Sequence, residues 1–187
     1  MMRKSTLVLV TVLMSALAAF AQLETIDAIA RGSSTQMGKQ FDVKVSIDKW
    51  SSDEDRAALK AAFTKGGNDA LAEALNKMKA VGRILIPATT GFSLAYARSI
   101  PTPTGRKIRF VSDRPIAIFE QRNMTRTEQY SLTCGEIDIN EQDKDKSTGV
   151  LYPAAKLKVN KQGELEFELY QNPWKLTNII DWNAPKK

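Results

Sequence analysis

Six side chains have the best claim to chemistry: Tyr96, Arg98, Asp113, Arg114, Glu120 and Arg122. They lie within or beside what read as central strands. Arg98 shares the two-residue parity of Phe92, Leu94 and Tyr96, and Glu120 that of Ile116 and Ile118, so both charges emerge on otherwise apolar faces. Charges placed there require partners. Structural ion pairing at a sheet end, with Arg122 beside Glu120, is the first reading. The second is a pocket, walled in part by Tyr96, in which the planar donors of the arginines bind a small anionic or carboxylate-bearing ligand. A third uses Asp113 and Glu120 as an acid and base pair, as glycoside hydrolysis does, although no second signature stands beside it.

What is missing narrows the chemistry further. The chain has no histidine, which removes Ser-His-Asp and Cys-His nucleophile systems, imidazole general bases and histidine zinc or copper sites. Cys134 is the single cysteine, so no intrachain disulfide can form, and a buried inert thiol is expected. Asp143, Asp145 and Ser147 have the oxygen spacing that opens a calcium loop. Glycine falls at Gly149 instead of the sixth position, Thr148, and the twelfth position is Ala154 where a bidentate carboxylate is required. Lys144 and Lys146 neutralise the segment, which reads as a solvated hairpin loop. No metal and no cofactor is expected. Trp50, Trp174 and Trp182 offer a surface for sugars or a partner, or part of a core, with core the more usual fate of tryptophan at such places.

The elements that must position these residues centre on Gly91 to Phe119. Phe92, Leu94, Tyr96 and Ile100 alternate with Ser93, Ala95, Ala97 and Ser99, and after the turn signal Pro101–Gly105 the alternation resumes through Lys107 to Val111. This predicts an antiparallel hairpin with one bulky and one small-residue face. Residues 23–31 read as strand or short helix, and periodicity leaves both open. Phe41, Val43, Val45 and Ile47 predict a half-buried strand. Ser51-Ser-Asp-Glu54 then matches a capping box, opening a helix that Gly66-Gly67 ends; Asn68 caps a second helix that stops at Gly82. Both are rich in alanine, so the helical hairpin is expected to pack on the small face of the strand from Ser93 to Ser99. Further strands are predicted over Val81–Ile86, Ile116–Arg122, Tyr130–Asn140, the run through Val159, Leu165–Leu169 and Trp174–Trp182. In the Tyr130–Asn140 strand, Leu132 and Cys134 differ in parity from Ile137 and Ile139, which suggests a bulge at Gly135.

The first 21 residues have the form of an export signal: Arg3 and Lys4, an apolar run from Leu7 to Ala19, then Ala19-Phe20-Ala21 as a small-x-small cleavage site, with Ala18 as the alternative cut. The run is shorter than the roughly 20 apolar residues of a membrane span, so no stable span is expected after cleavage. Residues 22–187 remain, long enough for one domain burying roughly 70% of the surface of its unfolded chain. With 25 basic and 21 acidic residues the mature charge is +4, spread along the chain as ordinary solubility requires. No clustered basic stripe argues for nucleic acid.

Several stretches together, Ile47–Arg56, Val81–Ile84, Gly91–Arg98, Ser112–Ile116 with Glu120–Asn123, and Leu169–Leu176, make the chain similar to a group of exported bacterial hypothetical proteins to which no activity is assigned. The resemblance implies an exported, periplasmic or extracellular protein and transfers no functional residue. The expected fold is α+β: a mainly antiparallel sheet of eight to ten strands, barrel-like or a sandwich, with one helical hairpin inserted after the second strand. The leading expectation for function is a non-enzymatic periplasmic or secreted binding module taking a small anionic ligand or an envelope component. An envelope interaction or structural protein comes next and a carboxylate-based hydrolase third. A binding module predicts a concave pocket lined by Tyr96, Ile118 and the arginines, which a filled sheet interior would oppose; an interaction protein predicts an apolar patch around Trp174 and Trp182.

Overall fold

A computed structural model describes residues 24–112, 114–116, 131–159, 165–169 and 172–183. In chain order the strands are β1 (Glu24–Arg31), β2 (Gln40–Ile47), β3 (Gly82–Leu85), β4 (Phe92–Thr102), β5 (Gly105–Ser112), β6 (Leu132–Asn140), β7 (Thr148–Val159), β8 (Leu165–Leu169) and β9 (Trp174–Asp181), and helix α1 (Asp53–Lys77) lies between β2 and β3. All described pairings are antiparallel. The strands join in the order β6-β5-β4-β3-β2-β1-β9-β7, and a β6–β7 pairing closes the ring into an eight-stranded barrel. Strand β7 forks: residues 149–151 pair with β9, and residues 155–159 with β8, which lies outside the ring. The expected α+β class with a mainly antiparallel sheet is the observed one, of the two forms left open the sheet is a barrel, and the ambiguous first segment is a strand.

An eight-stranded barrel leaves an interior about wide enough for side chains to fill. Here alternate residues fill it. Ile26, Ala28 and Ala30 of β1, Val43, Val45 and Ile47 of β2, Ile108 and Phe110 of β5, Ile137 and Ile139 of β6, and Trp174 and Leu176 of β9 form one buried cluster. The Trp174 ring meets Phe41 edge-on at a centroid distance of 4.8 Å. Phe110 lies against Gly135, its partner across β6, where a Cβ would stand 2.1 Å from the ring's Cζ.

Helix α1 covers part of the outer wall. Leu71 and Leu75 bury against Ala95, Leu132 and Cys134, with Tyr96, Val111, Tyr152 and Leu157 around them. Asn68 fastens the helix to β7: its side-chain amide donates to the Leu157 carbonyl at 2.6 Å and its oxygen accepts the Leu157 N–H at 2.7 Å. The expected helical hairpin is instead a single helix. Helical structure runs from Asp53 to Lys77, and only Gly66 and Gly67 depart from helical dihedrals, Gly67 with φ 64° and ψ −145°, which glycine adopts without steric cost. The glycine pair kinks the helix where it was read as a stop, and Asn68 is a tether instead of a cap. The capping box is real but one residue later: Ser52 Oγ accepts from the Asp55 N–H and Asp55 accepts from the Ser52 N–H. Ser51 is thereby free to bond both backbone groups of Ala97 on β4.

Three parity assignments also change, each through a bulge or its absence. The β4–β5 register slips between Leu94 and Tyr96. Leu94 and Ala97 consequently face the interior, whereas Ala95 and Tyr96 both lie under the helix. Strand β6, by contrast, runs straight through Gly135 without the predicted bulge: its register with β5 is regular. Leu132 and Cys134 are apolar on the outer parity because α1 covers that end, and Glu136 and Asp138 continue the same parity beyond it. In β9 the register against β1 shifts at Asn178, whose φ is 51°. Ile179 then packs on the interior cluster, and Ile180 turns outward to 49% exposure. The last strand is a stave of the barrel, whereas sequence placed it on a sheet edge. Among the described residues no helix is long and apolar enough to cross a membrane.

Candidate functional site

Of the six residues singled out in the sequence, the structure brings Tyr96 and Arg98 together, but not as a pocket. The bulge in β4 turns Arg98, with Tyr96, to the outer wall, so its charge does not enter the apolar interior. Its Nη1 lies 2.7 Å from Oδ1 of Asp53 at the start of α1. The Tyr96 hydroxyl and then the Asp53 carboxylate hold the guanidinium above its ordinary pKa. Asp53 is largely exposed, and ion pairs of this kind add little to stability. Tyr96 packs beside the helix contact. Arg114 is exposed. Asp113, Glu120 and Arg122 lie outside the described residues, as does Ile118, and with them the acid–base pair and the Glu120–Arg122 pairing. The calcium-like loop is engaged internally: Asp143 pairs with Lys146 at 3.0 Å and accepts the Asp145 N–H.

Two other features are built into the fold. The first is a charged cluster inside the base of the barrel. Arg106, on the inward parity of Ile108 and Phe110, places Nη2 2.6 Å from Oε1 of Glu24 and bonds Asp181 with the same nitrogen. The Glu24 and Asp181 side chains are 1% and 5% exposed. Desolvation is the largest influence on Glu24; Arg106 opposes it, while Asp181 and Glu141 reinforce it, and the carboxyl is pushed up to about 7. A buried carboxyl poised near neutrality is the sort of group that holds or releases a proton in physiological conditions. Sequence reasoning passed over this cluster although the signal was present. Glu24 leads the inward series Ile26, Ala28 and Ala30, and Arg106 leads Ile108 and Phe110, which is the same charge-on-an-apolar-face test applied to Arg98 and Glu120. Asp181 was hidden by the bulge at Asn178, without which its parity is outward.

The second feature is an open groove on the outer wall, with a volume of about 690 Å³, between β1–β2 and the loop after β3. Ile29, Leu85, Pro87 and Ile180 give it an apolar lining, and Asp27, Asp42, Lys44, Thr89 and Asn178 give it polar edges. Asp27 is held by Lys44 at 3.1 Å and accepts from the indole N–H of Trp182, a ring 62% exposed, at 2.8 Å. Of the expected apolar patch around Trp174 and Trp182, only Trp182 is on the surface; Trp174 is in the core, and Trp50 packs partly buried against it. Comparisons with protein-family models, with curated proteins and with solved structures found no match.

Proposed function

We propose that this chain is an exported, non-enzymatic binding module that takes its ligand on the outer wall of the barrel. The outer groove carries the reading: it joins exposed apolar side chains, Leu85 and Ile180, to polar edges, one of which, Asp27, also holds the exposed Trp182, and this is the composition of a recognition surface. The barrel interior, by contrast, is occupied by buried aliphatic and aromatic side chains, which opposes a ligand held in the lumen and the pocket expected around Tyr96 and the arginines. The small anionic ligand is not favoured by this groove, whose edge carries two aspartates and one lysine. An envelope component with an apolar portion fits it better. The test is a thermal-shift and chemical-shift screen of the mature chain against short apolar peptides and amphiphiles. A binder whose effect disappears in Ile180→Glu and Leu85→Glu and persists in Arg98→Ala supports the proposal. A binder that depends on Arg98 and ignores the groove variants, or turnover of any compound in the screen, refutes it.

Trp182 favours a second reading, an envelope interaction protein in which the same wall meets another protein, since an exposed tryptophan fixed at its indole nitrogen is a usual anchor of such contacts. A sizing column distinguishes self-association: a species larger than a monomer that Trp182→Ser returns to monomer size supports it, and a monomer at all concentrations argues against self-association.

A further inference from the structure

The charged cluster at the barrel base has an imbalance that its geometry makes consequential. Strands β1 and β9 are neighbours there, with Ile26 registered opposite Asp181, while Arg106 reaches across from β5, four staves from β1 by either route around the ring. One guanidinium nitrogen therefore ties opposite walls together through two carboxylates. The other positions registered around the site carry no charge: Ile47 of β2 lies beside Glu24, and Pro101 of β4 and Ile139 of β6 flank Arg106. Lys107 and Asp138 are on the outer parity, where Lys107 pairs with both Asp138 and Glu136. Among the described residues the remaining charge acting on Glu24 is Glu141, another anion. Asp181 has a second donor, the Asn183 backbone N–H at 3.0 Å. Among the described bonds Glu24 has only Arg106 as a charged or N–H donor, so Glu24 is the group that keeps a proton and can donate it to the Asp181 carboxylate.

We propose that Glu24, Arg106 and Asp181 form a proton-dependent latch across the base of the barrel: with Glu24 protonated one cation balances one anion and the walls are held together, and loss of that proton to solvent leaves two buried anions on one cation and loosens the base. The sign follows from linkage. A carboxyl held at about 7 in the fold and at the ordinary 4.5 when opened contributes stability that is fully present below 4.5 and is lost as pH rises through 7. The opening equilibrium of the base consequently rises about tenfold per pH unit between 4.5 and 7 and levels off above it.

Hydrogen exchange on the full mature chain, corrected for intrinsic rates, reads this locally. In the wild type, protection at the start of β1, the start of β5 and the end of β9 is expected to fall about tenfold per unit from pH 5 to 7. Glu24→Gln keeps a neutral donor at the site and is expected to remove the slope. A wild-type base whose protection does not change between pH 5 and 7, or a Glu24→Gln protein that retains the wild-type slope, overturns the latch. Carbon-13 titration of the Glu24 carboxyl in the wild type serves where the variant does not fold: a midpoint near 7 supports the proposal and one near 4.5 refutes it.

Discussion

Gly135→Ala tests most directly whether the lumen is packed as described. The backbone at Gly135 is ordinary strand, so alanine meets no conformational penalty, and removing a glycine from the unfolded ensemble by itself stabilises by about 0.4–1 kcal/mol. Against this, the new Cβ would stand 2.1, 2.4 and 2.7 Å from Cζ, Cε2 and Cε1 of Phe110. Ordinary contact begins near 3.4 Å, so three ring atoms must retreat, Cζ by about 1.3 Å, Cε2 by about 1.0 Å and Cε1 by about 0.7 Å. Phe110 is 1% exposed and lies in the same buried cluster as Ile108 and Ile137, so a displaced ring presses on other buried side chains. Overpacking of this kind costs about 1–3 kcal/mol, and complete expulsion of the ring approaches the roughly 3–5 kcal/mol of deleting it. The net expectation is a loss of about 2 kcal/mol, measured by urea unfolding with the midpoint moving and the slope unchanged. Phe110→Leu gives the alanine room, so the double variant should be more stable than the sum of the single losses by about 1–3 kcal/mol, a coupling expected only of residues in contact. If Gly135→Ala is as stable as the parent, or the two losses simply add, the ring does not lie over the glycine and the packing argument fails.

Asn68→Ala removes both bonds to Leu157 while leaving two backbone groups of a half-buried strand without partners, so a loss of about 2 kcal/mol is expected, with helix amides near residue 68 losing hydrogen-exchange protection before those of β1. Retention of full protection would show that α1 is held by its apolar contacts alone. At Asn178, glycine should be tolerated within about 1 kcal/mol because the left-handed backbone suits it, whereas valine, β-branched and strained at φ 51°, should cost about 1–2 kcal/mol. Equal stabilities of the two variants in urea would place the bulge elsewhere.

The strands were legible because period-two alternation is a direct imprint of a wall with one buried face. Val43, Val45 and Ile47, or Ile137 and Ile139, could belong to little else. What alternation does not carry is where the count slips. A bulge adds one residue to one strand, and every side chain beyond it changes face. The parity of Leu94 extends to Arg98 on sequence alone because the slip after Leu94 has no compositional mark, and the change of apolar parity around Gly135 is explained by the helix covering one end of β6 on the outer wall. The glycine pair in α1 misleads for a related reason: Gly66-Gly67 has the residue type that ends helices, whereas the chain kinks there and helical structure continues, with Leu71 and Leu75 packed on the wall. Ring closure turns on β1 meeting β9, a contact between strands far apart in the chain that no local pattern announces, whereas β6 and β7 are successive strands.

The bulge at Asn178 links the two features that the fold leaves for function. Without the extra residue, Ile180 would keep the inward parity of Trp174 and Leu176, and Asp181 would face water. With it, Ile180 lines the outer groove and Asp181 enters the base beside Glu24. The next residues complete both: Trp182 bonds Asp27 at the groove, and Asn183 donates to Asp181 and accepts from the Thr25 N–H. Loosening the base at higher pH would therefore act on the segment that also supplies Ile180 and Trp182. Binding in the groove and protonation of Glu24 should be coupled: a ligand that needs Ile180 and Trp182 in place binds more tightly in the protonated state, and by reciprocity its binding raises the affinity of Glu24 for its proton.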